Sequence, residues 1–106
     1  MKPSNLFNDI PNELPEEIFQ DLLSTDKVRI ERIVSKGHFS PESGWYDQDE
    51  NEWVLVVKGK AKLRFEKDDQ LVELNAGDFV DIKAHTKHKV QWTCPDQQTV
   101  WLAIFY

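Results

Sequence analysis

The stretch EWVLVVKGKAKLRFEKDDQLVELNAGDFVDI, residues 52–82, decides how this chain folds. Apolar residues alternate with polar ones in KLRFE and LVELN, the period of a strand with one face buried. The segments KGK, KDD and NAGD interrupt these runs with turn-forming residues. Working outward, VRIERIVS (28–35), HKVQWT (88–93) and TVWLAIFY (99–106) are further β-rich runs, set off by KGHFSPESG and CPDQQ. Short strands at close spacing without intervening helices predict an all-β fold, an antiparallel sandwich or small barrel. EWVLVV and VWLAIFY are apolar on both sides, which predicts a second cover over their outer face, either the N-terminal arm or another subunit.

The N-terminal residues read differently. Residues 1–14 are polar and punctuated by proline, as expected of an extended arm. In PEEIFQDLLST, Pro15 suits a first helical turn, Glu16 and Glu17 suit its positive end, and Ile18, Phe19, Leu22 and Leu23 make one apolar face. This predicts one short helix. The expected division is therefore an arm and short helix over 1–27 and a β-barrel domain over 28–106. At 106 residues no second core is expected.

A formal net charge of -6 leaves no basic excess to exchange for counterions. Nucleic acid and anionic membrane are thereby disfavoured as partners. Cys94 is the only cysteine, so no intrachain disulfide can form. The N-terminus shows no charged start followed by an apolar segment, and the longest apolar runs are far short of a membrane span. The expectation is a reduced, soluble, cytoplasmic protein.

Two segments carry potential chemistry. In WYDQDENEW (45–53), Tyr46, Asp47, Gln48 and Glu52 precede or begin a strand. Strand parity puts Glu52 on one face with Val54 and Val56, and a carboxylate among inward valines needs a partner or a metal. In AHTKHKVQW (84–92), parity groups His88 with Val90 and Trp92, and His85 lies three residues earlier. A single histidine on an apolar face is most simply a hydrogen-bonded core residue; a second histidine and an inward carboxylate bring metal binding level with that reading. Asp47, Asp49 and Asn51 imitate the start of a calcium loop, but Glu52 and Lys58 stand where glycine and a bidentate glutamate belong. Glycine-rich phosphate loops, GxSxG, HExxH and CxxC are absent. Cys94 reads as a tolerated turn thiol, His38 as an unpartnered loop residue, and Asp49, Glu50, Asp68 and Asp69 as solvated turn residues.

Glu52 and Gly59, with six residues between them in EWVLVVKG, followed by Gly77 through His88, resemble the two motifs of the cupin superfamily. Those motifs run G-x5-H-x-H-x3–4-E-x6-G and G-x5-P-x-G-x2-H-x3-N. The resemblance covers residues 28–106 and is to the small single-domain, conserved-barrel (type 2) cupins. It implies a jelly-roll barrel holding one metal ion. Glu52 takes the glutamate position, Gly59 the glycine, and His88 the histidine of the second motif. Lys83 stands where proline is usual, His85 where glycine is usual, and Trp92 where asparagine is usual. The H-x-H pair falls on Tyr46 and Gln48 in one register and on Trp45 and Asp47 in the other; neither contains histidine. Tyr46 and Gln48 share parity with Glu52 and are the favoured register.

The ligand set implied by the resemblance is thus Gln48, Glu52 and His88, with Tyr46, Asp47 or His85 as further ligands or supporting groups. Richer in oxygen than three histidines and a glutamate, it leaves Zn, Mn, Fe and Ni all possible as the divalent metal cofactor. Three functions compete: a metal-dependent enzyme acting on a small polar molecule, a metal- or ligand-binding module without turnover, and a metal-free barrel filled by Tyr46 and Trp92. The resemblance also implies a homodimer, to which VWLAIFY would contribute.

Overall fold

A computed structural model describes all 106 residues. Eight strands follow in chain order: β1 (Ile18–Ser24), β2 (Arg29–Ser35), β3 (Glu52–Lys58), β4 (Lys60–Phe65), β5 (Gln70–Asn75), β6 (Phe79–Ile82), β7 (His88–Thr93) and β8 (Thr99–Phe105). They form two antiparallel sheets, one ordered β1-β2-β8-β3-β6 and the other β5-β4-β7. Every run read as a strand from residue 28 onward is one. Between β4 and β5 there is only a single 3-10 turn, Lys67–Asp69.

Packing the two sheets face to face buries Val54, Val56, Ala61, Leu63, Leu74, Ile82, Trp101, Ala103 and Phe105 in one core. Seven of them come from alternate positions of β3, β4 and β8, as the period-two reading requires, and Leu74 and Ile82 add one each from β5 and β6. Gly59 closes the β3–β4 turn at φ +94, and any Cβ there would sit 2.6 Å from the Cα of Thr99. Both the left-handed backbone and the close approach of β8 exclude a side chain.

The predicted helix over 15–25 is not present. Its apolar residues belong to β1, which pairs with β2 from Ile18↔Val34 to Ser24↔Arg29. The register shifts between Asp21 and Leu23, a bulge that breaks the alternation and leaves Ile18, Phe19, Leu22 and Leu23 with a misleading helical spacing. Leu14 before Pro15 is also a poor N-cap, and a helix this short gains little without packing. Pairing with β2 satisfies the same backbone groups.

The arm is the second cover expected over the large sheet. Arg32, on the outer face of β2, donates from Nη1 to the carbonyls of Leu6 (2.9 Å) and Asn8 (2.6 Å), and from Nη2 to Gln20 Oε1 (2.5 Å). Gln98 Nε2 reaches the carbonyl of Pro11 at 2.7 Å. Val34 and Val100, neighbours on this outer face, are fully buried.

Candidate functional site

The core does not fill the space between the sheets completely. A cavity of about 120 Å³ remains at the end where β3 and β7 begin. Ile33, Val54, Leu63, Val90, Trp101 and Phe105 wall it, and Tyr46, Gln48, Glu52 and His88 supply polar groups.

Glu52 and His88 reach the cavity because each opens a strand whose next inward residue is a valine. The loop carrying Tyr46 and Gln48 is fastened to the segment before β7. Tyr46 exchanges both backbone hydrogen bonds with His88 (2.8 and 3.2 Å), and the His85 N–H donates to the carbonyl of Gln48 (2.9 Å). Asn51 Oδ1 accepts from the Ala84 N–H at 3.0 Å. Two segments some forty positions apart are thereby held in one register.

His88 is buried, with its ring flanked by Tyr46 (5.8 Å between centroids) and Phe65 (6.0 Å). Its Nδ1 lies 2.7 Å from the carbonyl of Thr86, which can only accept, so Nδ1 carries the proton in the neutral ring. Nε2 then faces Glu52 Oε1 at 3.5 Å. Burial pushes the His88 pKa down, but the Glu52 carboxylate and the Thr86 carbonyl outweigh it, and the net shift is upward. Gln48 Nε2 donates to Glu52 Oε1 at 3.0 Å, which leaves the amide carbonyl available to a ligand.

Asp47 and His85 meet outside the cavity. His85 Nδ1 lies 2.8 Å from Asp47 Oδ1, Nε2 lies 3.3 Å from Asp49 Oδ1, and the imidazole is 63% exposed. His85 adopts φ +63, the left-handed conformation, at the position where the family pattern has glycine. Trp92 is not in the cavity either. β7 and β4 pair Trp92↔Lys62 and then Val90↔Leu63, so Gln91 is an extra residue and the alternation reverses there. Trp92 therefore lies under the Lys62 ammonium (5.2 Å to the ring), and Thr93 is buried in its place.

Sequence reading missed the acidic side of the cavity. Glu31 and Glu17 line it from β2 and from just before β1. Glu31 Oε2 accepts from Arg29 Nε at 3.3 Å. Burial raises the Glu31 pKa, Arg29 opposes this, and the charges of Asp21 and Glu52 add to it. Arg29 in turn reaches Glu50 Oε1 at 3.2 Å and stacks 4.1 Å over the Phe105 ring, so Glu50 is more than a solvated turn residue. Glu17 Oε2 accepts from Ser35 Oγ (2.7 Å), itself 3.3 Å from the Trp101 indole N–H. The available signal was parity, since Glu31 shares a face with Ile33 and so looks inward.

No three His, Cys, Asp or Glu side chains converge on one point. The groups that do converge are the His88 Nε2, the Glu52 carboxylate and the Gln48 side-chain amide, whose Nε2 faces Glu52. This set fits a divalent cation: the imidazole is fixed through its other nitrogen, the usual support for a metal-binding histidine, and the carboxylate is oriented by the amide.

A search of curated proteins finds no match. Among solved structures, the chain is similar to a "putative mannose-6-phosphate isomerase" from Ralstonia eutropha JMP134, with 44% identity, TM-score 0.94, and coverage of 99% of this chain and 97% of that one. A cupin superfamily protein from Desulfitobacterium hafniense DCB-2 matches at 20% identity and TM-score 0.73, covering 91% of this chain and 82% of that one. A conserved protein of unknown function from Streptococcus pyogenes matches at 15% identity and TM-score 0.75, covering 98% and 85%. These last two likenesses concern the fold alone. The Cupin domain family matches residues 32–105, most of the chain. The two-sheet barrel agrees with this match, and the chain belongs to the cupin family.

Proposed function

We propose that this cupin binds a divalent metal ion through Gln48, Glu52 and His88 and receives a small polar molecule in the adjoining cavity. The observation that carries the reading is the orientation of His88: Nδ1 is committed to Thr86, and Nε2 faces Glu52 inside the barrel. A bound divalent ion would supply Lewis-acid polarisation of a ligand oxygen. The chain supplies the rest. Apolar walls from β2, β3 and β8 exclude water, Gln48 orients Glu52, and Glu52 and His88 can hold a proton between them. The name of the Ralstonia relative adds isomerase chemistry, a proton moved between neighbouring carbons, as the class of turnover to test.

Metal analysis of protein purified without a histidine tag tests this reading. At least half an equivalent of metal, or clear thermal stabilisation by added Zn, Mn, Fe or Ni, is expected, and both should vanish in His88→Ala and Glu52→Ala. Metal retained by both variants would place the ion elsewhere. A metal-free chain with no response to added ions would favour a second reading, in which the 3.5 Å His88–Glu52 pair acts alone as acid and base.

We further infer a homodimer. Its support is the edge strand β1, where Phe19, Leu22 and Leu23 are exposed. Sedimentation equilibrium should give twice the chain mass, and Leu23→Lys should shift it toward the monomer.

A further inference from the structure

The charge balance of the cavity bears on what it accepts. Glu17, Glu31 and Glu52 line it, and no lysine or arginine does. Arg29, which contacts the lining Glu31, is also engaged by Glu50. Asp21 lies directly opposite Glu31 across the β1–β2 ladder, and like charges in that position destabilise a sheet unless something positive lies between or beside them. Glu31 is largely buried, with 14% of its side chain exposed, and only Oε2 is bonded to the chain. The same space is bounded by Phe19 and Tyr46 at its rim and Trp101 and Phe105 inside. Carboxylates beside aromatic faces recognise an organic cation, because ring quadrupole and counter-charge both compensate its lost hydration. An anion would meet three carboxylates and no unpaired cationic side chain.

The geometry points to a small amine as the ligand of this cavity, its ammonium group between Glu31 and the aromatic rim and its neutral oxygen end toward Gln48, Glu52 and His88. This rests on the cavity being the binding site, as proposed above, and it separates the chain from the sugar phosphate in its relative's name. A divalent ion on Gln48, Glu52 and His88 would offset two of the three lining carboxylate charges, so the preference for a cation survives metal loading. The volume of about 120 Å³ is below the ~300–1,000 Å³ of common ligand sites and restricts the amine to a few non-hydrogen atoms.

The test is calorimetric titration of the full chain with three probes: 3-aminopropan-1-ol, glycerol of similar size, and the larger anion glycerol 3-phosphate. Each is run with Mn²⁺ and with EDTA. The amine should bind at least tenfold more tightly than glycerol, and glycerol 3-phosphate should give no heat. Glu31→Gln should weaken the amine about tenfold and leave glycerol unchanged. If that variant does not fold, Asp21→Asn, on the exposed edge, should weaken the amine two- to threefold. Tighter binding of glycerol 3-phosphate than of the amine, binding of none of the probes, or an amine affinity indifferent to the carboxylate substitutions would overturn the inference. An amine preference in a chain that holds no metal would refute the metal reading and leave this one standing. A chain that holds Mn²⁺ and prefers the phosphate would do the reverse.

Discussion

His88, which is buried, and Glu52, which is largely so, form a pair whose behaviour with pH follows from the upward shift of the histidine. A histidine whose folded pKa lies above its unfolded value of about 6.5 contributes stability that is complete below that value. The contribution is lost as pH rises through the folded pKa. Metal-free protein should therefore lose part of its denaturation free energy as the buffer is taken upward from about pH 6.5, and His88→Gln should flatten that slope. Metal affinity should change in the opposite sense over the same window, because Nε2 must shed its proton to become a ligand. His85 offers a separate test at the same scale. Its left-handed backbone costs about 1 kcal/mol in any residue with a Cβ, and its pairing with Asp47 is too exposed to repay much of that. His85→Gly should be more stable than His85→Ala by about 1 kcal/mol in urea titration, and both should keep metal, since the imidazole lies outside the cavity.

At the scale of elements, the outcome depended on whether alternation ran unbroken. β4 and β5 were legible because polar and apolar residues alternate in KLRFE and LVELN, and the inward direction of Glu52 followed from counting positions along β3. The errors sit at bulges. Leu22 in β1 makes a strand look helical, and Gln91 in β7 turns Trp92 outward although His88 and Val90 face in. A bulge needs only one extra residue, and its position depends on the partner strand, so one strand read alone gives no sign of it. The acidic loop 45–51 was hard to read for a related reason: its order comes from contacts with residues 84–88, which local pattern does not reveal. The N-terminal arm depends on one side chain in a comparable way. Arg32 is buried without a counter-charge, spends its Nη atoms on Leu6, Asn8 and Gln20, and leaves Nε without a partner. Arg32→Leu should cost about 2 kcal/mol, after the relief of desolvation is set against three lost charge-assisted hydrogen bonds. Limited proteolysis of that variant should cut first within residues 1–14.

For the whole molecule, the two sheets place alternate side chains of β3, β4 and β8 in one core and leave a recess lined by carboxylates at one end. The placement of the four tryptophans relative to that recess has an optical consequence. Trp45 lies beneath Lys89, Trp92 beneath Lys62, and Trp53 against exposed Phe79, all away from the cavity. Trp101 alone forms part of its wall, 3% exposed, with its indole N–H directed to Ser35. Replacing the three outer indoles by phenylalanine would leave a chain with one indole fluorophore, emitting to the blue of the others and shielded from dissolved iodide. Its intensity would report whatever enters the barrel, without any added dye.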